Sequence, residues 1–249
     1  MILKGAVPAR TRGFGHTAPT YVVGFPGSHF RRSFAGATPS SPVVRRRAIP
    51  IDAISDPPRA LIAAEKARVR GLALTRRDGL DPTARADASA AIVASVLALD
   101  FAPGSAVSAF LPILSEVDLT KAIAGLDGRG HPVGLPVMVE SGLIFRRVRP
   151  GDRLVPLGFG TRGPGPDAPE ILPDVLLMPL TAFDRQGGRV GYGRGYYDRA
   201  VADLRAAGRF PRLIGIAFSV QEVAAVPMEP HDAPLDMIVT EREVFRFAP

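Results

Sequence analysis

Arg189-Val190-Gly191-Tyr192-Gly193-Arg194-Gly195-Tyr196-Tyr197-Asp198-Arg199 sets three alternating glycines between an apolar strand and a helix, then adds two tyrosines and a carboxylate. The strand is Asp174-Val175-Leu176-Leu177-Met178-Pro179-Leu180, a continuous apolar run bounded by Pro173 and kinked at Pro179, the pattern of a strand buried on both faces. From Tyr196 to Ala207 the spacing is helical, with Tyr197, Ala200, Val201 and Leu204 on one face. Glycine has no Cβ, so backbone N–H groups can turn inward toward an anion, and the N-terminus of the following helix adds partial positive charge. A phosphate-binding loop is one reading of the stretch. A tight strand-to-helix turn with no ligand is the other.

Common phosphate fingerprints do not decide between them. The spacing is G-x-G-x-G, whereas the dinucleotide fingerprint requires G-x-G-x-x-G and an acid about 20 residues on. Gly188 to Gly193 has the gap of a P-loop, but Arg194-Gly195 replaces its Lys-Ser/Thr, so the metal-binding hydroxyl is missing.

Working outward, the folded part begins near Pro58, giving an extension over residues 1–57 and a single domain over 58–249. Helical composition runs from Arg59 to Arg77, with Lys66 and Arg70 one turn apart on one face. They are a solvated basic face or a pair of phosphate contacts. A second, Ala-rich helix is predicted from about Thr83 to Leu99, with Asp81 as cap and Pro82 at its first position. Val107 to Pro112 reads as a strand, and Ser115 to Thr120 leads into a helix ending near Gly125. Pro132 to Val139 and Leu143 to Val148 form a hairpin about Glu140-Ser141-Gly142. Pro and Gly are dense enough from Pro150 to Pro173 to predict a loop without regular elements, long enough to cover a ligand. Arg212 to Phe218 is another buried-strand pattern. Alternation of strands and helices predicts an α/β fold: a three-layer sandwich with a largely parallel sheet flanked by helices, Rossmann-like, with its ligand crevice at the carboxyl ends of the strands.

At 46% hydrophobic and 22% charged residues, 249 residues are sufficient for one ordinary core. The absence of cysteine excludes disulfides, thiolate zinc sites and a cysteine nucleophile, and suits a reducing compartment. The formal net charge of +7 suggests a nucleic-acid partner until it is apportioned. Residues 1–51 carry Lys4, Arg10, Arg12, Arg31, Arg32, Arg45, Arg46 and Arg47 and no acid, a charge of +8, which leaves −1 for the rest. Basicity thus belongs to an N-terminal arm rich in Gly, Pro and Ser, for which disorder is expected. An idle or untranslated arm is the first reading; an organelle-targeting peptide and a nucleic-acid or membrane tether are the others. The longest mostly apolar stretch, Ala88 to Leu99, is too short to span a bilayer, so a soluble protein is expected.

The run from Arg189 through Gly195-Tyr196-Tyr197-Asp198 resembles the signature of the 5-formyltetrahydrofolate cyclo-ligase family, also called methenyltetrahydrofolate synthetases. Lys66-Ala67-Arg68-Val69-Arg70 is similar to the family's Lys-x-x-x-Arg helix, Leu111 to Asp118 to its folate segment, and Val226 to Glu241 to its C-terminal signature. The likeness covers roughly Lys66 to Val244 and implies ATP- and Mg²⁺-dependent closure of 5-formyltetrahydrofolate to 5,10-methenyltetrahydrofolate. By it, Lys66, Arg70, Arg189, Val190, Gly191, Tyr192, Gly193, Arg194, Gly195, Tyr196 and Tyr197 form the nucleotide site, with Arg194 and Tyr196 catalytic. Leu111, Glu116 and Tyr196 meet the folate, and Asp198 and Asp232 hold Mg²⁺. Arg194 departs from the Lys or Gly of many members, and a guanidinium fork does not interchange with an ammonium. His231 taken alone reads as structural, and Asp198→Ala is expected to spare the fold. A cytoplasmic monomer without nucleic-acid or membrane partners is expected, and a sugar-phosphate isomerase-like enzyme or a non-enzymatic anion- or RNA-binding protein are the alternatives.

Overall fold

The computed structural model describes residues 59–247. The expected disordered extension over residues 1–57 lies outside the described residues. In chain order the elements are α1 (Arg59–Asp78), α2 (Pro82–Leu97), β1 (Val107–Ser108), α3 (Thr120–Gly128), β2 (Val133–Val139), β3 (Gly142–Val148), β4 (Leu154–Pro156), β5 (Arg162–Pro164), β6 (Val175–Pro179), β7 (Ala182–Phe183), β8 (Arg189–Val190), α4 (Tyr196–Ala206), β9 (Arg212–Ile216), β10 (Met237–Val239) and β11 (Val244–Arg246).

The apolar run after Pro173 becomes β6, near the middle of a seven-stranded sheet ordered β11-β10-β9-β6-β1-β2-β3. The five inner strands are parallel, and β3 and β11 close the two edges as antiparallel partners. Side chains alternate across a strand, and β6 shows this directly. Val175 and Leu177 pack with Ile92 and Val96 of α2 and Ala122 and Leu126 of α3. Leu176 and Met178 pack with Ala200, Val201 and Leu204 of α4 on the opposite face. The result is the three-layer α/β sandwich predicted from the sequence. Strand β1 is continued by α3 toward β2, while β6 is continued by α4 toward β9, so the chain turns in opposite directions from β1 and β6. The crevice between these two strands is the topological switch point of an open α/β sheet.

Several boundaries differ from the sequence reading. Asp81 caps α2 as expected, its Oδ1 accepting from the N–H groups of Thr83 at 2.9 Å and Ala84 at 3.1 Å. Strand β1 is shorter than the predicted run to Pro112 and ends at Ser108, with Ala109 N–H still donating to Gly134 O at 2.9 Å. Helix α3 passes through Gly125 instead of ending there: a Cβ at that position would lie 2.8 Å from Leu97, so the glycine serves close packing of α3 on α2. The segment read as loop from Pro150 to Pro173 contains the antiparallel pair β4/β5, with Pro156 and Pro164 at strand ends. The sequence reading also missed the short hairpin β7/β8 and the strands β10 and β11. Among the described residues, no helix is long and apolar enough to cross a membrane.

Candidate active site

Arg189 and Val190 do not follow directly on β6. They form the return strand of the β7/β8 hairpin, and buried polar side chains fix the exit of that hairpin. The Asp184 carboxylate accepts from the N–H groups of Gln186, Gly188 and Val226 at 2.7–2.9 Å, closing the turn. Thr181 Oγ1 donates to Val190 O at 2.8 Å, and Gln221 Nε2 donates to Leu180 O at 2.7 Å. Val190 O also accepts from Thr181 N–H at 2.8 Å, so Thr181 clamps the hairpin exit through both its backbone and its side chain.

The glycine loop emerges from this frame in a conformation that only glycine adopts readily. Gly193 has φ +94° and Gly195 φ +63°, the latter as left-handed N-cap of α4. No side chain caps the first turn of α4, so its leading N–H groups keep no side-chain acceptor. Arg70 grips the loop from α1, its Nε donating to Gly191 O at 2.7 Å, and a Cβ on Gly193 would come within 3.0 Å of its guanidinium. Burial lowers the pKa of Arg70 from its ordinary value. Arg199 supports the other side, donating to Arg194 O at 2.9 Å with its guanidinium 5.1 Å from the Tyr196 ring centre.

A cavity of about 720 Å³ opens beyond the carboxyl ends of β1 and β6, within the range of small-molecule sites. Its polar lining includes Lys66, Arg70, the loop from Gly191 to Gly195, Asp198 and Asp232. Its apolar lining includes Phe110, Leu111, Ile113, Met138 and Leu143, with Glu116 in the same segment as Leu111 and Ile113. Arg189, Val190, Tyr192, Arg194, Tyr196 and Tyr197 also line it, so all fifteen site residues named from sequence border one space. Leu114, 88% exposed, stands at this cavity with φ +54°, a conformation unusual for leucine.

Several of these residues are already engaged with each other. Lys66 Nζ donates to Glu229 Oε2 at 2.9 Å and makes a second, shorter ion pair with Asp232. Burial opposes the lysine's charge, but the Asp232 and Glu229 carboxylates outweigh it and raise the pKa of Lys66. The same contact holds Glu229 below the usual carboxylate range. Arg189, read from sequence as a phosphate contact, is buried and donates from Nη2 to Asp198 Oδ1 at 2.6 Å. Its Nε has no partner among the described residues.

Sequence reasoning passed over Glu229 and left His231 as structural. Glu229, His231 and Asp232 place one ligand atom each within 4.8 Å of one another, a group able to hold a cation. His231 is exposed, its Nε2 3.8 Å from each neighbouring carboxylate. The available signal was the Glu-x-His-Asp spacing itself.

At the apolar end, Glu116 is 7% exposed; Oε2 accepts from Ile113 N–H at 3.0 Å, and Oε1 has no partner among the described residues. Burial raises its pKa, opposed in turn by the Ile113 N–H, the Tyr192 hydroxyl and Arg77. Burial, reinforced by the Glu116 charge, pushes the Tyr192 phenol up to about 12. Tyr197 is shifted upward as well, by burial and then by the same carboxylate.

Residues 62–241 match the model of the 5-formyltetrahydrofolate cyclo-ligase family. The chain is 34% identical over 148 residues to the 5-formyltetrahydrofolate cyclo-ligase of Escherichia coli strain K12, covering 57% of this chain and 80% of that one. The Mycolicibacterium smegmatis enzyme of the same name is 32% identical over 152 residues, covering 56% and 75%. The fold is similar to the NMR structure of Aquifex aeolicus 5,10-methenyltetrahydrofolate synthetase, with TM-score 0.64 and 28% identity over 74% of this chain and 93% of that chain. With its signature residues lining one cavity and the family model spanning most of its length, the chain belongs to the 5-formyltetrahydrofolate cyclo-ligase family of ligases.

Proposed function

We propose that the protein closes 5-formyltetrahydrofolate to 5,10-methenyltetrahydrofolate at the expense of ATP, with Mg²⁺, releasing ADP and phosphate. The observation that carries this reading is the one cavity that brings lysine and arginine side chains and the glycine loop together with apolar side chains and one buried carboxylate. Such a lining suits a polyanion together with a flat heterocycle bearing N–H donors. The E. coli and M. smegmatis relatives carry the name of this activity.

The formyl oxygen of the substrate is a poor leaving group. In the proposed reaction it is phosphorylated first; folate N10 then attacks the activated carbon, and phosphate departs. Phosphoryl transfer of this kind depends on charge neutralisation and in-line positioning. Arg70 and Arg194 would meet phosphate oxygens, and the N–H groups of the glycine loop and the uncapped start of α4 would donate to them. Glu116 would orient the heterocycle through Oε1, the lone pairs of which are free of protein donors among the described residues. Tyr196, with its ring braced by Arg199, would sit between the two substrates.

Carboxylate oxygens are the hard ligands that Mg²⁺ prefers, and Glu229 and Asp232, grouped with His231, fit it, with Asp198 lining the same cavity. When bound there, Mg²⁺ supplies positive charge against the phosphate oxygens. Lys66 would exchange one or both of its carboxylate partners for phosphate, one anionic partner for another.

The test is to mix purified protein with Mg-ATP and 5-formyltetrahydrofolate and follow the near-ultraviolet absorbance of the methenyl product, with an ATP-free control. An ATP-dependent rise supports the proposal. No rise from folded protein that binds ATP would refute it.

A further inference from the structure

Helix α1 ends in Arg76-Arg77-Asp78, a position where arginines ordinarily face water and the helix dipole. Arg76 behaves in that way: it is exposed and donates to Glu222 O at 3.1 Å. Arg77 does not. It is 1% exposed, among the most deeply buried large side chains of the described residues. A buried guanidinium is costly unless its donors and its charge are matched.

Its charge is met by Asp78 of the same helix, Oδ1 of which lies 3.7 Å from Nε, and its donors are met by two loops. Nε donates to Ser115 Oγ at 2.9 Å, and Nη2 donates to Tyr192 OH at 3.0 Å. Ser115 passes the interaction on, its hydroxyl donating to the half-exposed Asp78 carboxylate. Ser115 belongs to the segment that carries Leu111 and Glu116, and Tyr192 to the glycine loop. The guanidinium therefore links two segments that line the cavity without lining it itself. Nη1 is buried with no partner among the described residues, and so is Glu116 Oε1.

We propose that Arg77 is a positioning residue for the cyclisation, fastening the Glu116 segment to the glycine loop so that Glu116 and Tyr192 are presented together to the substrate; this rests on the reading of the cavity as a folate site. Tyr192 accepts from Arg77 through its hydroxyl, and burial beside the Glu116 charge holds that phenol protonated. Facing Glu116 are Arg77 from α1, Tyr192 from the glycine loop, Tyr197 from α4 and the Ile113 N–H from its own segment. Of these, Arg77 alone brings positive charge. It favours the carboxylate form, which accepts hydrogen bonds from ring N–H donors, over the acid, which would have to donate.

The experiment compares wild type, Arg77→Met and Arg77→Lys by two measurements. Carboxyl ¹³C NMR follows the titration of Glu116, its resonance identified with Glu116→Gln. Calorimetry gives the affinities for 5-formyltetrahydrofolate and for Mg-ATP. In Arg77→Met the Glu116 midpoint should rise, since the positive charge that favours its carboxylate form is lost. Folate affinity should fall about tenfold, the loss expected when a hydrogen bond to a charged group is misplaced, with Mg-ATP affinity within about twofold. Arg77→Lys keeps the charge but cannot bridge Ser115 and Tyr192 with a planar fork. It should hold the Glu116 midpoint near wild type while still losing folate affinity.

An unmoved midpoint in Arg77→Met, or equal losses for folate and Mg-ATP, would overturn the proposal. If the Met variant does not fold, the Lys variant decides: a selective loss of folate affinity supports the tie, and unchanged or equally reduced affinities reject it. If wild type itself fails to bind 5-formyltetrahydrofolate, the folate reading falls. The ligand-free titration of Glu116 then still shows whether Arg77 and Glu116 are coupled.

Discussion

Asp198→Ala separates a surface ligand from a structural ion pair. From sequence alone Asp198 is a first-turn acid reserved for a metal, and its removal should not affect folding. In the structure its Oδ1 receives the Arg189 guanidinium at 2.6 Å and faces Ala233 N–H at 3.4 Å, with the two side chains 19% and 7% exposed. Truncation leaves the arginine buried and unpaired, with an Nε that already lacks a partner among the described residues. Breaking a buried pair from one side costs roughly 3–5 kcal/mol, and the cavity beside this pair, which admits water, argues for the lower end, about 3 kcal/mol. At about 2–4 °C per kcal/mol for a domain of this size, the melting midpoint should fall by about 6–12 °C. The second variant, Asp198→Leu with Arg189→Met, removes both charges and should recover much of the loss, because no uncompensated charge remains. Calorimetric melts of wild type and both variants without ligands make the check. A midpoint for Asp198→Ala within about 2 °C of wild type would refute the reasoning.

Other expectations follow from neighbouring contacts. Since Lys66 lowers the pKa of Glu229 from 4.5, the pair stabilises the fold above that value and the stability is lost as pH falls through the folded-state pKa. Lys66→Met should therefore flatten the acid limb below about pH 4.5 in urea midpoints measured from pH 3.5 to 6, and an acid limb as steep as wild type would contradict the pairing. Gly193→Ala forces a side chain onto a backbone at φ +94° and 3.0 Å from Arg70. It should cost roughly 1–3 kcal/mol and raise the Michaelis constant for ATP more than that for folate; equal changes in both constants would count against a nucleotide role for the loop. Deleting residues 1–55 should leave turnover and melting midpoint close to wild type, and loss of folded protein would show that the arm contributes to the domain.

The layered fold was legible because its signals are local. An apolar run the length of β6, the periodicity of α4 and the Asp81-Pro82 start of α2 depend on neighbours a few residues away. Elements whose identity depends on distant partners were not legible. Strand β10 is three residues long and exists because β9 and β11 flank it. Gly125 looks like a helix stop until Leu97 packs against it.

The same division runs through the candidate site. Residue types and spacing were enough to single out the glycine loop and the shared face of Lys66 and Arg70, since backbone freedom and charge are properties of the residues themselves, whereas the acids at 198 and 232 were paired by resemblance to the family. Which charge meets which was decided only by tertiary structure: Lys66 lies more than 160 positions from Glu229 and Asp232, and Arg70 lies 121 from Gly191. Arg77 makes the point most sharply. By sequence it is one more arginine at a helix end. The burial that gives it a part in the site arises because α1, the Glu116 segment and the glycine loop close over it, and a linear pattern does not encode what three remote segments enclose.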